Sequence, residues 1–153
     1  MRLRFGICRQ FRCILPPEVM LVNENQTLLL LTIRELQRIS RRLRFLRIRC
    51  NDETLDHLLD QHQRHLDALI SESRQLAIQR GLEPPETLWI PPIPLPFCQE
   101  MLLAQRWCSC IRDSQIRCRR ALRRYPRTDA VSILCRKTID FSTNVIAQLE
   151  GYP

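Results

Sequence analysis

Apolar residues early in the chain recur at the spacing of a helix with one dry edge. Leu29, Leu36, Leu43 and Cys50 stand seven apart, and Ile39 and Leu46 take the second apolar position of the heptad. Asn51-Asp52-Glu53 interrupts the pattern, and a second stripe follows through Leu55, Leu59, His62, Leu66, Leu69, Ile70, Leu76 and Ala77. Side chains three, four and seven apart share one helix face, so both stretches predict amphipathic helices. A third stripe runs through Leu103, Trp107, Cys110, Ser114, Cys118, Ala121 and Tyr125, and predicts a helix from about Gln99 to Arg124 that Pro126 ends. The fourth runs through Val131, Leu134, Cys135, Thr138, Ser142, Val145 and Leu149, flanked by Ile139 and Ile146.

Boundary residues sharpen these elements. Residues 1–24 read as an irregular or partly extended leader around Pro16-Pro17, with Asn23, Asn25 or Thr27 available to cap a first helix that reaches about Cys50. Asn51 is the expected cap of the second helix, whose first turns hold Asp52, Glu53 and Asp56, where the helix dipole favours negative charge. Gly81 ends it after the basic Arg80. Thr128 or Asp129 caps the fourth helix and Gly151 closes it. The domain reading is therefore a leader, 1–24, and a single four-helix domain, 25–153.

Residues 82–97 carry six of the ten prolines. An extended polyproline-II run of that length covers about 50 Å at about 3.1 Å per residue, enough to travel the length of a helix pair. Leu88, Trp89, Ile90, Ile93, Leu95 and Phe97 are too apolar for a free linker, so the segment is expected to lie along the bundle and pack on it rather than serve as an exposed Pro-rich ligand. Short turns between helices one and two and between three and four force antiparallel neighbours, and a lengthwise crossover makes helices two and three run parallel. The expected fold is all-α: an antiparallel four-helix bundle with a long Pro-rich crossover, the ferritin-like topology.

Charge adds a second pattern. The net charge is +8, and Lys137 is the only lysine, so the basic character is almost wholly guanidinium. Residues 1–50 hold eleven Arg against three Glu, residues 51–100 three Arg against nine acids, and residues 101–153 ten cations against four acids. An acidic second helix between basic neighbours predicts charge matching within the molecule rather than one positive face. Arg117, Arg119, Arg120, Arg123, Arg124 and Arg127 form the densest basic run. Tyr125 is its nearby aromatic group, so a solvated helix end pairing with helix two is the favoured reading over a nucleic-acid site.

No apolar run reaches the length of a transmembrane helix, and Arg9 and Arg12 interrupt what would be the apolar core of a secretory signal. The Arg-rich, acid-free residues 1–17 leave an organelle-targeting segment open. Eight cysteines in such a chain are expected to stay reduced in a cytoplasm. Cys108-x-Cys110 followed by Cys118 suggests zinc, but on a helix the first two point about 200° apart, and Cys110 and Cys118 lie about 12 Å apart. Buried thiols filling a core are the better reading.

Asn51-Asp52-Glu53-Thr54-Leu55, Leu58-Leu59-Asp60-Gln61-His62-Gln63-Arg64-His65-Leu66 and Ala77-Ile78-Gln79-Arg80-Gly81-Leu82-Glu83-Pro84-Pro85 resemble the second helix of ferritin-like four-helix proteins of the bacterial spore-coat kind. That resemblance implies a bundle with a His near the middle of helix two. It does not carry a di-iron site with it. Such a site needs Glu-x-x-His on two helices and a Glu on each of the others. Here Leu59 stands three before His62, helix four has no His, Asp140 is off its stripe, Asp113 is one position off the third stripe, and Glu100 sits at a helix start. Glu35 and His62 are the one pair that could meet across helices. His57, His62 and His65 lack a nucleophile or a paired acid, and His62 reads as a hydrogen-bonded boundary residue.

The expected function is a non-catalytic bundle, not an enzyme, with a structural or protein-interaction role and no cofactor. A protein partner or self-association is favoured over nucleic acid, and no membrane span is expected. The rivals are a metal-binding redox bundle built on Glu35 and His62, and an Arg-rich nucleic-acid binder.

Overall fold

The computed structural model describes the backbone of residues 17–84, 100–125 and 129–152, and the side chains of 26–84, 102–125 and 129–152. All regular structure among them is helical: α1 (Pro17–Arg47), α2 (Glu53–Gln79), α3 (Glu100–Arg124) and α4 (Ala130–Glu150). None of these helices is long and apolar enough to cross a membrane. Most of the proline-rich crossover, 85–99, and the leader before residue 17 lie outside the described residues, as does Arg127.

The first helix starts earlier than its capping residues suggest. It runs through Asn23, Asn25 and Thr27 and begins at Pro17. Proline is well placed there, since the first turn has no intrahelical use for its missing N–H and its fixed φ suits a helix. At the other end α1 stops at Arg47, three residues short of Cys50. The Arg49 N–H turns back to the Leu46 carbonyl at 3.0 Å and the Cys50 N–H to the Arg47 carbonyl at 3.1 Å.

Asp52, not Asn51, caps α2. Its Oδ1 accepts from the Leu55 N–H at 2.9 Å while Oδ2 accepts from the Tyr152 hydroxyl at 2.8 Å. A carboxylate supplies two acceptor oxygens and a full negative charge at the positive end of the helix, which an amide cannot. These bonds, the one from Leu55 first, hold the Asp52 carboxyl below the usual carboxylate range. Gly81 ends α2 at φ +68°, with its N–H on the Ile78 carbonyl at 3.0 Å and the Leu82 N–H on the Ala77 carbonyl at 2.9 Å. That pair of bonds satisfies the last carbonyls, and the positive φ is what calls for glycine. Asp129 caps α4 by accepting from the Ser132 N–H at 3.1 Å, and Gly151 closes it.

Leu29, Ile33, Leu36, Ile39 and Leu43 of α1, Leu55, Leu59 and Leu66 of α2, Leu103, Trp107 and Ile111 of α3, and Val131, Leu134, Phe141 and Val145 of α4 form one buried core. The third stripe sits slightly rotated from expectation. Cys108 and Ile111 are buried, while Cys110, Ala121 and Tyr125 are only half-buried. Phe141, outside the fourth stripe as read from the sequence, is 2% exposed. Three hydroxyls within the core bond backward along their own helices: Thr32 to the Leu28 carbonyl at 2.8 Å, Thr138 to Leu134 at 3.0 Å and Ser142 to Thr138 at 2.9 Å. A buried hydroxyl costs little once it has such a partner.

Ion pairs outside the core join α2 to its neighbours. Arg47 of α1 reaches Asp56 at 3.1 Å and Asp60 at 2.9 Å, and Arg44 reaches Asp67 at 3.4 Å. From α4, Lys137 meets Glu72 at 2.7 Å, and α2 returns Arg80 to Asp129 at 3.7 Å. The acidic helix is matched by α1 and α4, as the charge pattern predicts. The α3 arginines are not among its partners: α2 and α3 make the weakest helix contact. The expectation that the basic run pairs with helix two therefore gives way for its described members, of which Arg117 turns to Glu35 of α1 instead.

Leu43 is fully buried among these side chains. Leu43→Ala should lower the free energy of unfolding by about 2–5 kcal/mol, the usual cost of a leucine-to-alanine cavity, read as a shifted midpoint in urea denaturation.

Candidate functional site

Three helices converge on His62. Its ring is 4% exposed and lies against fully buried Trp107 of α3, ring centres 6.4 Å apart, and edge-on to Phe141 of α4 at 6.3 Å. The Trp107 indole N–H donates to His62 Nδ1 at 3.1 Å, and His62 Nε2 lies 2.7 Å from Gln148 Oε1. An indole nitrogen can only donate, so Nδ1 is the acceptor and the imidazole proton sits on Nε2, directed at the glutamine oxygen. Burial holds the His62 pKa below its ordinary value; the Gln148 bond opposes this and neighbouring His65 adds to it. A neutral ring thus joins α3, α2 and α4. This is the hydrogen-bonded histidine expected from the stripe, more deeply set than a boundary position.

Glu35 is not brought to His62. Arg117 of α3 donates to its carboxylate from Nε at 2.8 Å, and Arg38 approaches at 3.7 Å. The carboxylate belongs to the α1–α3 side of the bundle. Among the described residues no carboxylate hydrogen-bonds to His62, and no three His, Cys, Asp or Glu side chains gather where one ion could touch them. Asp113 and Asp140 are exposed, and so is His65, which packs edge-on against Phe141 at 4.9 Å.

The cysteines separate as helix geometry requires. Cys108 lines a recess with Ala104, Leu149 and Tyr152, facing α4, whereas Cys110 lines another with Arg38 and Arg42, facing α1. They cannot share an ion. Cys118 is buried beside Cys135, whose Sγ approaches the Cys118 carbonyl at 3.6 Å. The adjacent Cys135 sulfur, then burial, push the Cys118 thiol well above its usual range, so it stays protonated. Among the described residues, Cys108, Cys110, Cys118 and Cys135 stand outside any disulfide.

Of the basic run, Arg117 holds Glu35, while Arg120 and Arg124 line a recess of about 260 Å³ with Leu31, Ala121 and Tyr125. Arg119 and Arg123 are exposed. Both Glu35 Oε2 and Arg117 Nη2 are shut off from solvent without a hydrogen-bond partner. Sequence reasoning missed the Trp107 and Gln148 partners of His62 and the meeting of Cys118 with Cys135. The signal for the first was a tryptophan on a buried stripe, whose N–H must be satisfied somewhere. The pairings across helices had none, since they depend on the relative register of α2, α3 and α4.

Neither a protein-family model, nor a curated protein, nor a solved structure matches the chain.

Replacing Trp107 by Phe removes the indole donor and leaves His62 Nδ1 unpartnered in the core. The expected loss is about 1–3 kcal/mol of stability, measured by denaturant unfolding. A histidine held neutral by burial also makes stability depend on pH. Above about 6.5 the ring is neutral folded or unfolded and its contribution is intact. As pH falls from there through the lower folded-state pKa, the unfolded chain binds the proton first and stability declines. His62→Gln should flatten that part of the stability–pH curve.

Proposed function

We propose that this chain is a non-catalytic helical-bundle protein with a structural or protein-interaction role, working with reduced thiols in the cytoplasm. Its scaffold is an antiparallel bundle of ferritin-like connection without an intact di-metal centre. The observation that carries this reading is the Trp107–His62–Gln148 chain of bonds. The one deeply buried ionisable ring of α2 spends both nitrogens on joining helices and keeps no lone pair for an ion or substrate.

The helix register supports the scaffold. The pairs His62–Gln148, Glu72–Lys137 and Arg80–Asp129 advance along α2 while they retreat along α4. Arg112–Glu150 and Gln115–Thr143 do the same for α3 and α4, and Ser40–Gln63 and Arg47–Asp56 for α1 and α2. Helices that each oppose α4 run the same way as one another, which supports the ferritin-like connection proposed here.

Arginines covering the outside of such a scaffold suit carboxylate-bearing partners, with which guanidinium makes bidentate contacts. Metal analysis of the purified full chain tests the role. The expected result is well under about one-tenth equivalent of iron or zinc, with a thermal midpoint that a chelator leaves in place. Near-stoichiometric metal, or a midpoint that falls on chelation, would overturn the proposal.

A further inference from the structure

The α1–α3 side of the bundle carries an unbalanced charge and an apolar floor in the same groove. At one end lies the recess of about 260 Å³ bounded by Leu31, Ala121 and Tyr125, with Arg120 and Arg124 at its mouth. At the other lies a recess of about 230 Å³ floored by Phe45 and Leu46, with Arg38, Arg42 and Arg106 around it. Arg117 and Glu35 stand in the first recess, and Arg38 joins the two by also approaching Glu35. Burial in the second recess holds the Cys110 thiol above its usual range, opposed by the guanidiniums of Arg42, Arg38 and Arg117. Six arginines thus face Glu35 and Asp113, a surplus of four positive charges. From Arg106 to Arg124 the groove runs about 27 Å, at about 1.5 Å per residue.

We infer that this groove docks an acidic amphipathic helix of a partner protein. The inference rests on the interaction role proposed above. The surplus of arginines calls for carboxylates, and the length suits one helix of about 18 residues laid along α1 and α3, its apolar stripe on Leu31, Tyr125 and Phe45 and its carboxylates against the flanking arginines. A nucleic acid would meet the arginines through phosphates and leave the apolar floor unused, so the protein partner is favoured.

The probe is a fluorescein-labelled peptide of about 18 residues with leucines at helical spacing and Glu along both flanks of that stripe, read by fluorescence anisotropy against the full chain. Expected are a dissociation constant on the order of 10 µM that weakens with added salt and a loss of at least about tenfold when the flanking Glu residues become Gln. The exposed-face double variant Arg120→Glu/Arg124→Glu should weaken binding at least about tenfold. Leu31→Asp, on the opposite wall, should weaken it too and decides the matter if the double variant loses helicity. Arg74→Glu, on α2 and outside the groove, should change nothing. Equal binding by a scrambled peptide, indifference to the groove variants, or no binding at 100 µM would overturn the groove. Displacement of the peptide by duplex DNA or RNA with a steep salt dependence would overturn it in favour of nucleic acid. Failure in metal-free protein removes the groove alone; stoichiometric metal removes the underlying role.

Discussion

Each of the four helices has one apolar edge, and none can hide it alone. That constraint organises the molecule. Isolated helices gain little from propensity, and most of their stability in a folded protein comes from packing an amphipathic face. Leu36, Leu59, Trp107 and Leu134 are buried only because the other three rods are present. The polar groups that enter the interior must then find partners there, since water is excluded. Thr32, Thr138 and Ser142 solve this within their own helices, but Trp107 and His62 cannot. They solve it across helices and so make the relative placement of α2, α3 and α4 more specific than apolar packing alone would.

Charge works on a different scale. The pairs from Arg44, Arg47 and Lys137 to the α2 acids are partly exposed, and contacts of that kind contribute little apiece. Their effect is on arrangement. They tie the acidic helix to α1 and α4 in one register, since each pair forms only where its two helices are correctly aligned. The same arrangement leaves the α3 arginines without α2 carboxylates to neutralise them, and the basic groove is the remainder. Glu35, held by Arg117 and Arg38, and Asp113 offset only part of it.

The helices and most of their inward faces were legible as periodicity, because a dry edge imposes a repeat on the sequence that few other constraints imitate. Helix ends were less so. Asn51 and Asp52 are both good caps, and only the tertiary position of Tyr152 shows that the carboxylate has a second partner. Pro17 reads equally as a stop or as a first turn, and which it is depends on residues that follow it. In α3 the apolar face drifts between Cys108 and Cys110, since both are small enough for either setting. Of the site, His62 was visible as a polar residue on an apolar stripe. Its partners Trp107 and Gln148 were not, as they lie 45 and 86 positions away. Glu35 reads as an acid that could approach His62 and instead meets Arg117, because sequence shows which way a residue faces along its own helix and not which rod stands there.

The bond between Tyr152 and Asp52 spans 100 positions and links the end of α4 to the start of α2. A chain emerging from a ribosome can wind α2 and dock it on α1 long before residue 152 exists. During that interval the Asp52 carboxylate holds only its own helix. The cap at the start of α2 is therefore complete only once α4 is in place.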